Sequence, residues 1–242
     1  MTDLEREELI APLERALIIF SHPDDAEFSA APTIAALTAS GAHVDYVVTT
    51  DGGKGTDDPA VTPEQLAATR IAEQRAAADV LGVGEIVHLG YPDGYLQPTL
   101  ELRRDIVRQI RRFRPDLVIA QNPQRRADGN PFIAHPDHLA TGEATLAAVY
   151  PAARDRLNFP ELIDEGLEPW KVRQVLVSGV ERPNLWVDVS ATLERGLEAL
   201  RRHESQIDDW DEVEGRVRER AAEVGEPVGM PMAQAFLSIL LT

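Results

Sequence analysis

Ala16-Leu17-Ile18-Ile19-Phe20-Ser21-His22-Pro23-Asp24-Asp25 carries the frame of this chain in ten residues. Five apolar residues run without a break and stop at a polar turn. A short unbroken apolar run bounded by Pro and Asp predicts a strand buried on both faces. Three later runs repeat the pattern. Val44–Thr50 stops at Asp51-Gly52-Gly53, Glu85–Leu89 at Gly90-Tyr91-Pro92, and Leu117–Ala120 at Gln121-Asn122-Pro123. Helical patterns fill the gaps: the Ala-rich stretch 30–39, Pro63–Leu81, Leu102–Phe113 and His138–Val149. In the third, Leu102, Ile106, Ile110 and Phe113 share a face, with Arg103, Arg104, Arg108, Arg111 and Arg112 expected to point outward. Strand and helix alternate, which predicts an α/β three-layer sandwich with a mostly parallel central sheet and right-handed crossovers.

The last third reads differently. Val172–Val180 and Leu185–Val189 predict strands added antiparallel at an edge of the sheet. Ser190 is the expected N-cap of a helix presenting Leu193, Leu197 and Leu200 to the core. Residues 205–232, charged and Gly-containing, are expected to form a mobile loop. With no internal repeat and no low-complexity linker, residues 1–242 read as one domain, with 171–242 as its C-terminal extension.

Charge and composition narrow the function. Lys and Arg total 24 against 41 Asp and Glu, a formal charge of −17. Such a field repels phosphate backbones, so nucleic acid is not an expected partner. No apolar run approaches the roughly 18 residues needed to span a bilayer. The opening stretch MTDLEREELIAPLER is acidic and lacks an apolar segment, so no signal peptide is expected and the cytoplasm is the expected compartment. The chain has no cysteine, which removes disulfides, thiolate ligands and a thiol nucleophile.

The chemistry gathers in two runs, His22-Pro23-Asp24-Asp25 and His135-Pro136-Asp137-His138. Clustered carboxylates cost energy unless a cation or proton offsets them. One such run alone reads equally well as a capped turn, Pro starting the turn and Asp capping the next helix. Two of them, each following a strand, point to a shared site at the carboxyl ends of the strands. Two imidazoles and a carboxylate with an open position make a catalytic zinc set, and His22, Asp25 and His138 are the expected ligands. Iron or cobalt would satisfy the same donors. Asp24, beside a ligand, is the expected general base. His135 is expected either over a developing oxyanion or as the acid that protonates a leaving amine, with Asp137 holding it in the needed tautomer.

Other residues carry weaker signals. Glu27 reads as a first-turn helix charge or a partner of a ligand. His43 and His88 read as structural, and His203 as a packing or surface residue. The Gly-rich loop Asp51-Gly52-Gly53-Lys54-Gly55 lacks the spacing of a phosphate-binding loop. Asp93, in the turn Tyr91-Pro92-Asp93-Gly94, lies where it could bind a substrate hydroxyl. Arg70 could do the same, although alone it reads first as a solvated charge.

With these residues in view, the chain resembles the LmbE-like, or PIG-L, family of zinc-dependent N-acetylglucosaminyl deacetylases. The resemblance rests on His22-Pro23-Asp24-Asp25-Ala26-Glu27 and His135-Pro136-Asp137-His138. Thr50-Asp51-Gly52, Leu89 through Gly94, and His203-Glu204-Ser205-Gln206 support it. It implies a Rossmann-like fold and zinc on His22, Asp25 and His138, with Asp24 as base. It further implies His135 near the oxyanion or leaving group, and Arg70 and Asp93 as substrate contacts. The implied substrate is a small N-acyl amino sugar or its conjugate. Where many members carry Gly-Gly soon after the first motif, this chain has Ser29-Ala30-Ala31-Pro32, expected to narrow the pocket floor.

The expected activity is metal-dependent hydrolysis of an N-acyl, specifically N-acetyl, amino sugar. Two alternatives stand beside it: a receiver-like Mg²⁺-binding signalling domain with Asp93 as phosphoacceptor, and a non-catalytic glycan-binding relative. The sequence leaves homo-oligomerisation open.

Overall fold

The computed structural model describes residues 8–125 and 133–241. Residues 1–7, the start of the acidic opening stretch, lie outside them. β1 (Arg15–Phe20) is the hub of a seven-stranded sheet with order β3-β2-β1-β4-β5-β7-β6. On one side of it lie β2 (His43–Thr50) and β3 (Ile86–Tyr91). On the other lie β4 (Leu117–Ala120), β5 (Gln174–Val177), β7 (Ala233–Leu240) and β6 (Leu185–Asp188). β1 pairs in parallel with both neighbours, with Ile18 opposite Tyr46 and Ile119.

The unbroken apolar run of β1 is explained by what covers it. Ile18 and Phe20 face one layer, where α1 (Asp25–Ala39) contributes Ala30 and Ile34 and α2 (Pro63–Leu81) contributes Ala77 and Leu81. Leu17 and Ile19 face the other, with Leu102, Ile106 and Ile110 of α3 (Leu100–Phe113) and Ala140 and Ala144 of α4 (Pro136–Ala147). Each fully buried Leu or Ile stabilises the fold by about 1.5–3 kcal/mol, so alternate residues of one strand tie both layers to the sheet. The helix ends are set locally: Thr62 and Gln65 form a reciprocal capping box at α2, and Gly82 closes that helix at φ 77°.

Four expectations need correction. Arg111 is buried rather than outward, and its guanidinium donates to the carbonyls of Ala152, Ala153, Asp155 and Asn158. Four carbonyl acceptors replace the water such a group would otherwise hold. The second correction concerns residues 205–232, which are largely helical. After the short helices α5 (Glu161–Asp164) and α6 (Leu193–Leu200), α7 spans Trp210–Gly225. Ala221, Val217 and Trp210 pack it against Leu193 and Leu197 of α6, a sparse apolar stripe that the charge count hides. Thirdly, Thr192 is the N-cap residue of α6, because Ser190 is spent on the side chain of Asp188. Finally, β5 is parallel to β4, and the antiparallel edge is made by β7, which pairs with both β5 and β6.

Candidate metal centre and active site

β1 and β4 are neighbours, yet α1 leaves β1 towards one face and α4 packs on the other. The chain therefore diverges at their carboxyl ends and opens a crevice there. Both His-Pro-Asp runs sit in it. Gly142, one turn after His138, lets α4 approach closely: a Cβ there would lie 2.5 Å from the carbonyl oxygen of Gln121. Any side chain at 142 would push α4, and His138 with it, away from β4.

Two imidazole nitrogens and the Asp25 carboxylate converge between the runs. His22 Nδ1 lies 3.2 Å from Asp25 Oδ2 and 3.3 Å from His138 Nε2, and His138 Nε2 lies 3.1 Å from Asp25 Oδ1. Donors bonded at about 2.0–2.1 Å in a tetrahedron stand about 3.3 Å apart; the two nitrogens have that separation, and each meets its own oxygen of Asp25 at a similar one. Asp25 Oδ2 is further held by the His22 backbone N–H at 2.8 Å and the Gln121 side chain at 3.0 Å, which leaves Oδ1 the freer oxygen. The set pairs N and O donors suited to zinc or iron.

Two groups that include His135 meet the spacing of a metal group: His22, His135 and His138, and His22, Asp93, His135 and Asp137. The Asp137 N–H already occupies His135 Nδ1, and the carboxylates of the second group are engaged, which argues for Asp25 beside His22 and His138. Asp137, fully buried, accepts from the Gly94 N–H at 2.7 Å and the Leu96 N–H at 3.1 Å, and contacts His22 Nε2 at 3.1 Å. Asp93 accepts from the Lys54 N–H at 3.0 Å and contacts the same Nε2 at 3.1 Å. Both carboxylates thus fix the ring of His22 from behind, as partners of a metal-binding imidazole do. This corrects one expectation: the carboxylate of Asp137 orients His22, not His135, because α4 turns it inward while its backbone N–H alone reaches His135 Nδ1, at 3.2 Å.

The electrostatics follow. Burial alone would lower the pKa of His22, but hydrogen bonds to Asp137, Asp25 and Asp93 outweigh it and push the value up to about 11. Without a metal, His22 therefore acts as the site's cation. Burial opposes ionisation of Asp25, yet His138 and His22 hold its carboxyl well below the usual carboxylate range. Asp24 behaves oppositely: burial, then repulsion from Asp25, pushes it up to about 7, against the pull of Arg70. Burial, together with the nearby His22 and His138, lowers His135. Since the Asp137 N–H occupies Nδ1, neutral His135 carries its proton on Nε2.

Asp24 sits at φ 103°, unusual for a residue with a side chain, directly before α1. Its backbone N–H donates to Gln74 Oε1 and its Oδ2 accepts from Arg70 Nη2 at 3.1 Å. Arg70 is buried, not solvated, and also donates to the carbonyls of Pro23, Gly52 and Lys54. It ties the Gly-rich loop to Asp24. Behind Asp24, Glu27 accepts from Gln74, Tyr46 and, depending on the tautomer, His203. His203 is completely buried; sequence reading caught its packing role but missed the partner. It missed Gln74, Gln121 and Gly142 altogether. Of these only Gly142 had a signal, a glycine one turn after a ligand. Ala30 and Ala31 join the core, and Pro32 packs against Gly196 of α6, where a Cβ would come within 2.6 Å of its ring.

Comparison with known proteins identifies the family. The model of the family described as PIG-L, GlcNAc-PI de-N-acetylase, matches residues 17–149. The chain belongs to the PIG-L family. A diacetylchitobiose deacetylase of Thermococcus kodakarensis is 36% identical over 97% of this chain and 86% of its own length. A mycothiol S-conjugate amidase of Streptomyces coelicolor is 29% identical over 84% of this chain and 73% of its own. The crystal structure of an N,N'-diacetylchitobiose deacetylase of Pyrococcus horikoshii superposes with a TM-score of 0.87. It is 31% identical and covers 95% of this chain and 85% of that one. The expectations of a PIG-L fold and of a deacetylase of the amide-hydrolysing kind are borne out. Among the described residues no helix is long and apolar enough to cross a membrane.

Proposed function

We propose that this protein removes the acetyl group from an N-acetylated amino sugar in a glycan or glycoconjugate, using a zinc ion on His22, Asp25 and His138. The observation that carries the reading is the convergence of His22, Asp25 and His138 with Asp24, pKa about 7, beside them. A divalent cation held there would supply a Lewis acid that acidifies a water and polarises the amide carbonyl.

The protein's own groups do the rest. Asp24 Oδ2 is engaged by Arg70, so Oδ1 takes the proton of the attacking water as the new C–O bond forms. A carboxyl near pKa 7 can hold that proton and return it to the nitrogen as the C–N bond breaks. His135, neutral and protonated on Nε2, donates to the carbonyl oxygen as it gains charge. Asp93 and Asp137 keep His22 from rotating. The products are acetate and the free amine. A receiver-like role needs an accessible phosphoacceptor, and Asp93 is buried with both oxygens engaged.

The test is metal analysis together with acetate release from N-acetylglucosamine and N,N'-diacetylchitobiose. One zinc per chain, acetate release, and loss of both in His138→Ala are expected. An inert zinc-loaded protein, or full metal retention in His138→Ala, overturns the proposal.

A further inference from the structure

Tyr95 is 75% exposed, yet its turn is held on both sides of it. Its flanking residues, Gly94 and Leu96, both donate backbone N–H groups to the carboxylate of Asp137, which in turn holds His22. The Tyr95 N–H closes a turn onto the Pro92 carbonyl, with Gly94 at φ 77°, a conformation that glycine adopts freely. Lys54 lies over the ring, its Nζ 3.4 Å from the centroid. The Lys54 backbone is fixed as well: its N–H binds Asp93, the other carboxylate on His22, and its carbonyl accepts from Arg70. Both members of the stacked pair are therefore anchored, through their backbones, to the groups that hold His22.

A lone exposed aromatic is ordinary on a protein surface. An aromatic whose backbone is pinned to a metal-ligand partner, and whose ring carries a cation on one face, is already ordered before anything binds. That removes much of the entropy cost of using it in recognition. Nothing in the catalytic scheme uses Tyr95 or the Lys54 ammonium. We propose that Tyr95 and Lys54 form a binding subsite for the pyranose ring next to the N-acetylated sugar. The C–H face of that ring packs on Tyr95, and the ammonium donates to its hydroxyls. The inference rests on the sugar-deacetylase reading above and narrows it: the substrate is an oligosaccharide rather than a free monosaccharide.

Two measurements test this. The first compares kcat/KM for N,N'-diacetylchitobiose and N-acetylglucosamine in the wild type, Tyr95→Ala and Tyr95→Phe, all supplied with zinc. The disaccharide should be preferred in the wild type. Tyr95→Ala should shrink that preference by about ten-fold, through KM rather than kcat, and Tyr95→Phe should restore it. The second is calorimetric binding of N,N'-diacetylchitobiose to zinc-loaded Asp24→Asn protein, where adding Tyr95→Ala should weaken Kd by a similar factor. A preference and a Kd that do not change on Tyr95→Ala overturn the subsite. If no variant releases acetate, the deacetylase reading falls, and the binding measurement still decides on Tyr95.

Discussion

His22-Pro23-Asp24 and His135-Pro136-Asp137 are the same tripeptide, each leading into a helix beside the crevice, and their residues do opposite things. In the first run the helix begins at Asp25, so Asp24 is the N-cap residue, at φ 103°. In the second it begins at Pro136, so the cap falls on His135 and Asp137 lies inside the first turn. That shift of the helix start exchanges the roles. Asp24 keeps an oxygen towards the crevice, and burial raises its pKa. Burial acts on Asp137 too, but His22, Gly94 and Leu96 bind its oxygens and hold its pKa down. The histidines swap likewise: His22 offers Nδ1 towards Asp25 and His138, while His135 has Nδ1 occupied and presents Nε2. On the proposed scheme, identical tripeptides become base and buttress, ligand and donor, according to where the next helix starts.

The contrast is open to attack at each position. The largest expected effect is that of Asp24→Asn, which should cut kcat by roughly 10²–10⁴-fold while zinc remains bound; near-normal turnover would move the base elsewhere. His135→Ala should lower kcat by roughly 10²–10³-fold with metal retained, and loss of the metal would make His135 a ligand. Asp137→Asn should weaken zinc affinity by roughly 10–100-fold, measured by competition with a chelating dye. If it instead removes turnover without touching affinity, Asp137 acts in the chemistry and the two runs are alike after all. The smallest effect concerns pH. Asp24 must be ionised to act, so kcat/KM should fall about ten-fold per unit on the acid side of its pKa. That limb should lie at or below about 7, because a bound cation draws it down, and Asp24→Asn should abolish it. Stability should move the other way. A carboxyl whose pKa is higher in the fold stabilises it at low pH and loses that contribution as pH rises through about 7. Metal-free Asp24→Asn protein should therefore melt no lower than wild type at pH 8.

The parallel half of the fold was legible because β1, β2 and β4 are buried on both faces, and these strands and β3 run into Gly, Pro or Asp, signals that need no knowledge of partners. The convergence of His22, Asp25 and His138 could be expected because all three lie within two short runs that each follow a strand of the same sheet. What could not be read depends on pairing across the chain. Asp137 was assigned to its neighbour His135, since nothing local shows that the turn at Gly94 and Leu96 lies above it. Arg111 looked like part of a solvated face because the carbonyls that receive it lie over forty residues ahead. α7 was hidden by charge, since about half of its residues face solvent. Arg70 looked like an ordinary helix charge because three of its four acceptors are backbone carbonyls, which have no signature in sequence, and the fourth is Asp24, forty-six residues away.

The placement of β7 has a bearing on how this chain is made. Among the described residues β6 has no sheet partner other than β7, and β5 has β7 as its outer neighbour. A ribosome delivers β6 by Asp188 and β7 only from Ala233. Until then the flank of β5 is an unpaired edge, a template for joining another nascent chain. The half that carries His22, Asp25 and His138 can assemble early, but its protection from aggregation comes only with β7. Loss of a few residues within β7 should therefore harm yield in the cell far more than a comparable loss from an exposed loop.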